Sequence, residues 1–109
     1  MPEHEERLLE EKFHQEMLNI YRMAKAEINY NATRFLQLVS ERRGLNAARY
    51  LLAGKVTDVS QGFTELALRE RLDLSVENLV LKEPWRRLFT EAELRNARMR
   101  LREHEKKGS

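Results

Sequence analysis

Glu11 and His14 stand three residues apart, a spacing that puts a carboxylate and an imidazole on one face of a helix, where the pair could ligate a metal ion. A carboxylate-bridged site in a helical bundle needs two such pairs and two further carboxylates, and the sequence holds no second pair. The other histidines, His4 and His104, fall in highly charged stretches near the chain ends. With nothing to complete a ligand set, His14 is expected at a surface or an interface. The chain has no cysteine, which removes thiol nucleophiles, thiolate metal sites and disulfides together. No His-Glu-x-x-His, Gly-x-Ser-x-Gly or Walker sequence occurs, nor does a dinucleotide fingerprint. The sequence therefore supplies no catalytic residue, metal ligand or cofactor site, and it does not read as an enzyme.

Arginine is the other source of chemistry. Toward the C-terminus Leu94, Ala97 and Leu101 form a buried line, and the helical projection places Arg95, Arg98, Arg102 and Lys106 along an adjacent stripe. Arg98 with Arg102, and Arg102 with Lys106, are like-charge i,i+4 pairs, each unfavourable by about 0.2–0.5 kcal/mol in an isolated helix. An acidic protein surface or a phosphate backbone would compensate them. Arg42, Arg43, Arg49, Arg86 and Arg87 extend the candidate anion or nucleic-acid surface. Arg42 to Arg49 also has the outline of a helix-turn-helix junction. Its second helix is short and mostly Ala, Leu and Tyr, so tight packing through Ala47 and Ala48 explains it better than base readout. Trp85, beside Arg86 and Arg87, combines an apolar body with an N–H that suits a half-buried position or a partner anchor. Asp73 and Glu77 flank Leu74-Ser75 near Arg69 and Arg71. Both carboxylates are expected to favour the positive end of the helix after Ser75, with the arginines bracing the turn.

These groups must be carried by helices. At 109 residues, 35% charged and with only 4 Gly and 2 Pro, the composition fits an all-α chain and disfavours a sandwich or barrel. Charge alternates along it: residues 1–28 sum to −3, 29–62 to +3, 63–83 to −2 and 84–109 to +4. Leu9, Phe13, Met17, Ile20, Ala24 and Ile28 repeat after 11 residues, a period that suits a straight helix over 3–28. At 1.5 Å per residue that helix runs about 36 Å, longer than its own chain needs. Leu9, Phe13, Met17 and Ile20 are therefore expected, with Trp85, to meet a partner.

An apolar residue followed by a capping residue, with a second apolar residue four helical positions on, recurs at Leu45-Asn46, Phe63-Thr64, Leu74-Ser75 and Phe89-Thr90, the signature of a hydrophobic staple at a helix start. Thr90 adds Glu93 at the capping-box position. Gly44 and Gly54 read as left-handed stops of the preceding helices, and Pro84 as the opening of a short turn. The expected architecture is a multi-helix bundle of six or seven helices: 3–28, 32–43, 47–53, 64–72, 76–82, 84–89 and 91–106. Residues 1–28 form an assembly arm, 29–107 a compact helical domain, and 108–109 a tail or linker remnant. No apolar run approaches the roughly 20 residues that span a bilayer, and Met1 to Glu6 is acidic where a signal peptide is basic. A cytoplasmic location is expected.

Gly62-Phe63-Thr64-Glu65-Leu66, then Leu72-Asp73-Leu74-Ser75-Val76-Glu77 through Leu81, then Leu88-Phe89-Thr90 with Glu93-Leu94, resembles a family of small, functionally uncharacterised bacterial helical domains over roughly residues 30–101. The resemblance implies a bacterial, cytoplasmic, all-helical domain and attaches no activity to it. The functional expectation is a non-enzymatic interaction or assembly module, an accessory subunit that self-associates or binds a larger protein. The alternative is a small nucleic-acid-binding or phage-defence-associated accessory protein using its arginine-rich surface.

Overall fold

The computed structural model describes residues 3–107; the expected tail at 108–109 lies outside them. The described residues form six α-helices: α1 (Glu3–Ile28), α2 (Thr33–Arg42), α3 (Gly44–Leu52), α4 (Gln61–Leu68), α5 (Val76–Val80) and α6 (Glu91–Lys107). Two 3₁₀ turns, Leu72–Leu74 and Trp85–Leu88, link the later helices, and no strand occurs among the described residues. None of these helices is long and apolar enough to cross a membrane. Two compact units divide between Ala48 and Arg49, within α3, whereas the sequence reading drew its line after residue 28.

In the first unit α1 follows its 11-residue repeat. Glu3, Glu5 and Glu6 occupy its first turn and Lys25 its last, matching the helix dipole. It ends where Asn29 takes a φ of 55° and the Tyr30 N–H reaches back to the Ala24 carbonyl at 3.1 Å, a left-handed residue closing the helix. Phe13, Met17, Ile20 and Ala24 are buried, with Leu9 and Ile28 half-buried at the ends of the stripe. The face expected to await a partner is thus largely consumed inside the chain. α2 packs on α1 and buries Val39.

The junction of α2 and α3 departs from expectation. Arg43, with φ 70°, is the left-handed residue, and Gly44 is already the first residue of α3. Gly44 is required for another reason: a Cβ there would lie 2.6 Å from the His14 Cα. The expected start at Asn46 is accordingly displaced, and Ala47 and Ala48 are fully buried, as close packing demands.

In the second unit Gly54, at φ 88°, follows the end of α3 as the sequence indicates. α4 starts earlier than expected because Ser60, and not Thr64, is its N-cap, accepting from the Phe63 N–H at 3.1 Å. Phe63 is therefore inside the helix and buried. Glu70, at φ 58°, turns the chain after α4 ends at Leu68. Ser75 caps α5 by accepting from the Asn78 N–H at 3.1 Å. α6 opens with a reciprocal box: the Thr90 N–H donates to Glu93 Oε1 at 2.8 Å and the Glu93 N–H to Thr90 Oγ1 at 3.1 Å. α5 packs on α6, burying Val76, Leu79, Val80, Leu94, Ala97 and Leu101.

Candidate interaction face

Each unit contains one buried polar centre. In the first, His14 is 8% exposed, not a surface histidine, and the Gly44 N–H donates to its Nδ1 at 3.0 Å. A neutral imidazole has one lone pair to offer, so the ring carries its proton on Nε2, where Arg43 Nη1 approaches at 3.2 Å. Arg43 in turn donates to Glu11 Oε1 at 2.8 Å. The Glu-x-x-His spacing thus serves a junction between helices, where Glu11 fixes Arg43 and His14 receives Gly44. Burial first, then the nearby Arg43 charge, push the His14 pKa below its ordinary value, with Glu11 opposing. Because the folded pKa is lowered, the stabilisation is present above the unfolded value of about 6.5 and is lost as pH falls through the folded value. Between about pH 7 and pH 5, the Gly44 amide should lose protection from hydrogen exchange beyond that of amides elsewhere in α3. Equal change across α3 would contradict this assignment.

In the second unit Arg100 is fully buried. It donates to the carbonyls of Leu51 at 2.7 Å, Ala53 at 2.8 Å and Lys55 at 3.0 Å, and to Glu77 Oε2 at 3.1 Å. One turn earlier on α6, Asn96 Nδ2 donates to the carbonyls of Leu52 at 2.6 Å and Gly54 at 3.3 Å. Asn96 and Arg100 together donate to every carbonyl from Leu51 to Lys55, the last residues of α3 and the chain just beyond it, where helical partners run out. Glu77 sits at the start of α5, as expected, but is 3% exposed and committed to Arg100. Burial pushes its carboxyl above the ordinary range, against the pull of its own backbone and Arg100. Asp73 is held below the usual range by Arg71, whose Nε and Nη2 donate to it at 3.0 and 3.1 Å. His104 is half-buried, its ring edge-on to Phe63 at 4.7 Å.

The arginines expected to form one anionic site are sorted by these contacts. Arg43 is paired with Glu11. Arg49 donates to the Leu88 carbonyl at 2.9 Å and lies 3.6 Å from Glu93. Arg86 and Arg87 share Glu83 at 3.9 and 3.8 Å. Arg42 is exposed and also engaged. Trp85 is half-buried in the turn before Arg86 and likewise engaged. Arg95, Arg98 and Arg102 differ: all are exposed on α6, and no described residue pairs with them. They span about 10 Å of helix in an exposed stripe beside the buried line of Leu94, Ala97 and Leu101. The Lys106 side chain lies outside the described ones.

Arg95 also borders an open groove of about 340 Å³, whose lining includes Leu52, Val56, Ala92 and Met99. The sequence reading found the arginine stripe but missed the groove, which depends on the chain after α3 lying along α6. Among the described residues no three His, Asp or Glu side chains converge as a metal site would require. No known protein family, curated protein or solved structure matches the chain.

Proposed function

We propose that the protein is a non-enzymatic helical interaction module, an accessory subunit whose binding surface is the outward face of α6. The observation that carries this reading is the set of exposed arginines, Arg95, Arg98 and Arg102, that make no side-chain ion pair or hydrogen bond with a described residue. The like-charge cost within α6 is offset when an anionic surface covers the face. A protein surface fits better than nucleic acid. The remaining free guanidinium groups are few, Glu91 and Glu105 flank them, and Arg95 borders a groove of mixed lining whose wall includes Val56, Ala92 and Met99. A phosphate backbone is bound by many spaced cations, with affinity rising with each contact.

The test compares the wild-type chain with Arg95→Glu/Arg98→Glu/Arg102→Glu during purification from the native host. The wild type is expected to retain a protein partner in fixed proportion, and the triple variant to lose it at unchanged thermal midpoint, since no described contact is broken. Retention unaffected by the triple change would overturn the assignment. Wild-type retardation of DNA or RNA at about 50 mM salt, abolished in the triple variant, would replace it with the nucleic-acid reading.

A further inference from the structure

The α6 face pairs charge with apolar surface: Met99 is 37% exposed beside the groove bordered by Arg95. Its complement is a helix offering an apolar side chain with a carboxylate one turn away. The N-terminal turns of α1 have that pattern. Residues 3–8 are exposed on every side, so α1 begins as a free overhang before its buried stripe starts. Leu8 is 48% exposed and stands three residues after Glu5, which places both on one side of the helix. Glu5 and Glu6 pair with no described residue, and Glu3 reaches only the exposed Arg7 at 4.0 Å.

We propose that the α6 face of one copy receives the N-terminal turns of α1 from a second copy, Leu8 entering the groove and Glu5, one turn before it, meeting the arginines of α6, with Glu6 adding to the negative charge of the overhang. The inference rests on the reading of α6 as a protein-binding face and names its occupant. Two different surfaces meet: reciprocal pairing about a two-fold axis closes a dimer, and unreciprocated, heterologous pairing adds copies in a chain.

Sedimentation of the full chain from micromolar to millimolar concentration, at about 50 mM salt, tests it. The wild-type mass should rise above the 13.0 kDa of one chain. Glu5→Lys/Glu6→Lys and Arg95→Glu/Arg98→Glu should each weaken association by about tenfold or more, and mixing the two should restore it. Leu8→Ser, which changes no charge, should weaken it as well. Circular dichroism melts verify folding, and Arg95→Gln/Arg98→Gln replaces the reversal if that variant unfolds. A wild type that stays at 13.0 kDa throughout, or reversed variants that fail to recover on mixing, overturns the proposal. A monomeric wild type that still retains a different protein through the three arginines removes this inference alone and leaves the functional reading intact.

Discussion

Arg100→Met is expected to remove much of the stability of the unit that begins at Arg49. Arg100 has no exposed surface, and its two terminal nitrogens serve three backbone carbonyls and one carboxylate. Methionine fills the volume but donates nothing. Stranding one member of a buried ion pair costs about 3–5 kcal/mol. The carbonyls belong to half-buried Leu51 and exposed Ala53 and Lys55, and that of Lys55 keeps the Asp58 N–H, so water replaces part of what they lose. Set against a total of about 5–15 kcal/mol for a typical domain, the loss is still a large share. Glu77→Gln should cost less, because an amide oxygen still accepts from Arg100 and the three carbonyls keep their donor, although the guanidinium loses its counter-ion. Urea denaturation followed by circular dichroism ranks the variants: Arg100→Met far below Glu77→Gln, with Arg100→Lys between wild type and Met. A loss under about 1 kcal/mol for Arg100→Met would show that the carbonyls from Leu51 to Lys55 do not depend on α6.

Gly44→Ala should also destabilise, against the usual direction for a helix. Alanine exceeds glycine in helix propensity by about 1 kcal/mol, and the left-handed conformation at this junction belongs to Arg43. By local rules the change is favourable. Packing reverses the sign, because the new methyl carbon would sit 2.6 Å from the His14 Cα and 3.2 Å from its N and Cβ. A backbone atom cannot rotate aside, so α3 must withdraw from α1 and the Gly44 N–H leaves His14 Nδ1. Overpacking of this kind costs about 1–3 kcal/mol, and faster hydrogen exchange in α1 around His14 should accompany the loss. An alanine variant more stable than wild type would refute the close approach.

These two sites mark where the sequence could be read and where it could not. α1 was legible to both ends because its stripe repeats over 26 residues without a glycine or proline inside. α5 and α6 were legible at their starts because Ser75 and the Thr90–Glu93 box act locally. Gly44 misled because a glycine after a helix has one appearance and two uses, backbone freedom and lack of bulk, and only the path of α1 reveals which applies. Thr64 misled because Ser60, which also carries a hydroxyl, stands four residues earlier, one turn away. Arg100 is not singled out by the sequence and His14 is placed at a surface or an interface, since charged and titratable side chains are almost never fully buried unless paired. Their partners, the carbonyls after α3 and the Gly44 N–H, are backbone groups that leave no mark in composition or periodicity. A clue did exist: Arg100 falls three residues after buried Ala97 and one before buried Leu101, within reach of the apolar line.

The same sorting left three arginines exposed and unmatched on α6, and the functional reading depends on that face being covered in the cell. The most direct measurement places a photo-activated cross-linker at position 99, where Met99 is 37% exposed, and separately at position 68, where Leu68 is 75% exposed. Irradiation in the native host should give a discrete protein adduct from position 99, lost when Arg95, Arg98 and Arg102 are changed to Glu, and none of that mass from the more exposed position 68. Equal labelling from both positions, or an adduct at position 99 that survives the arginine changes, would contradict the account.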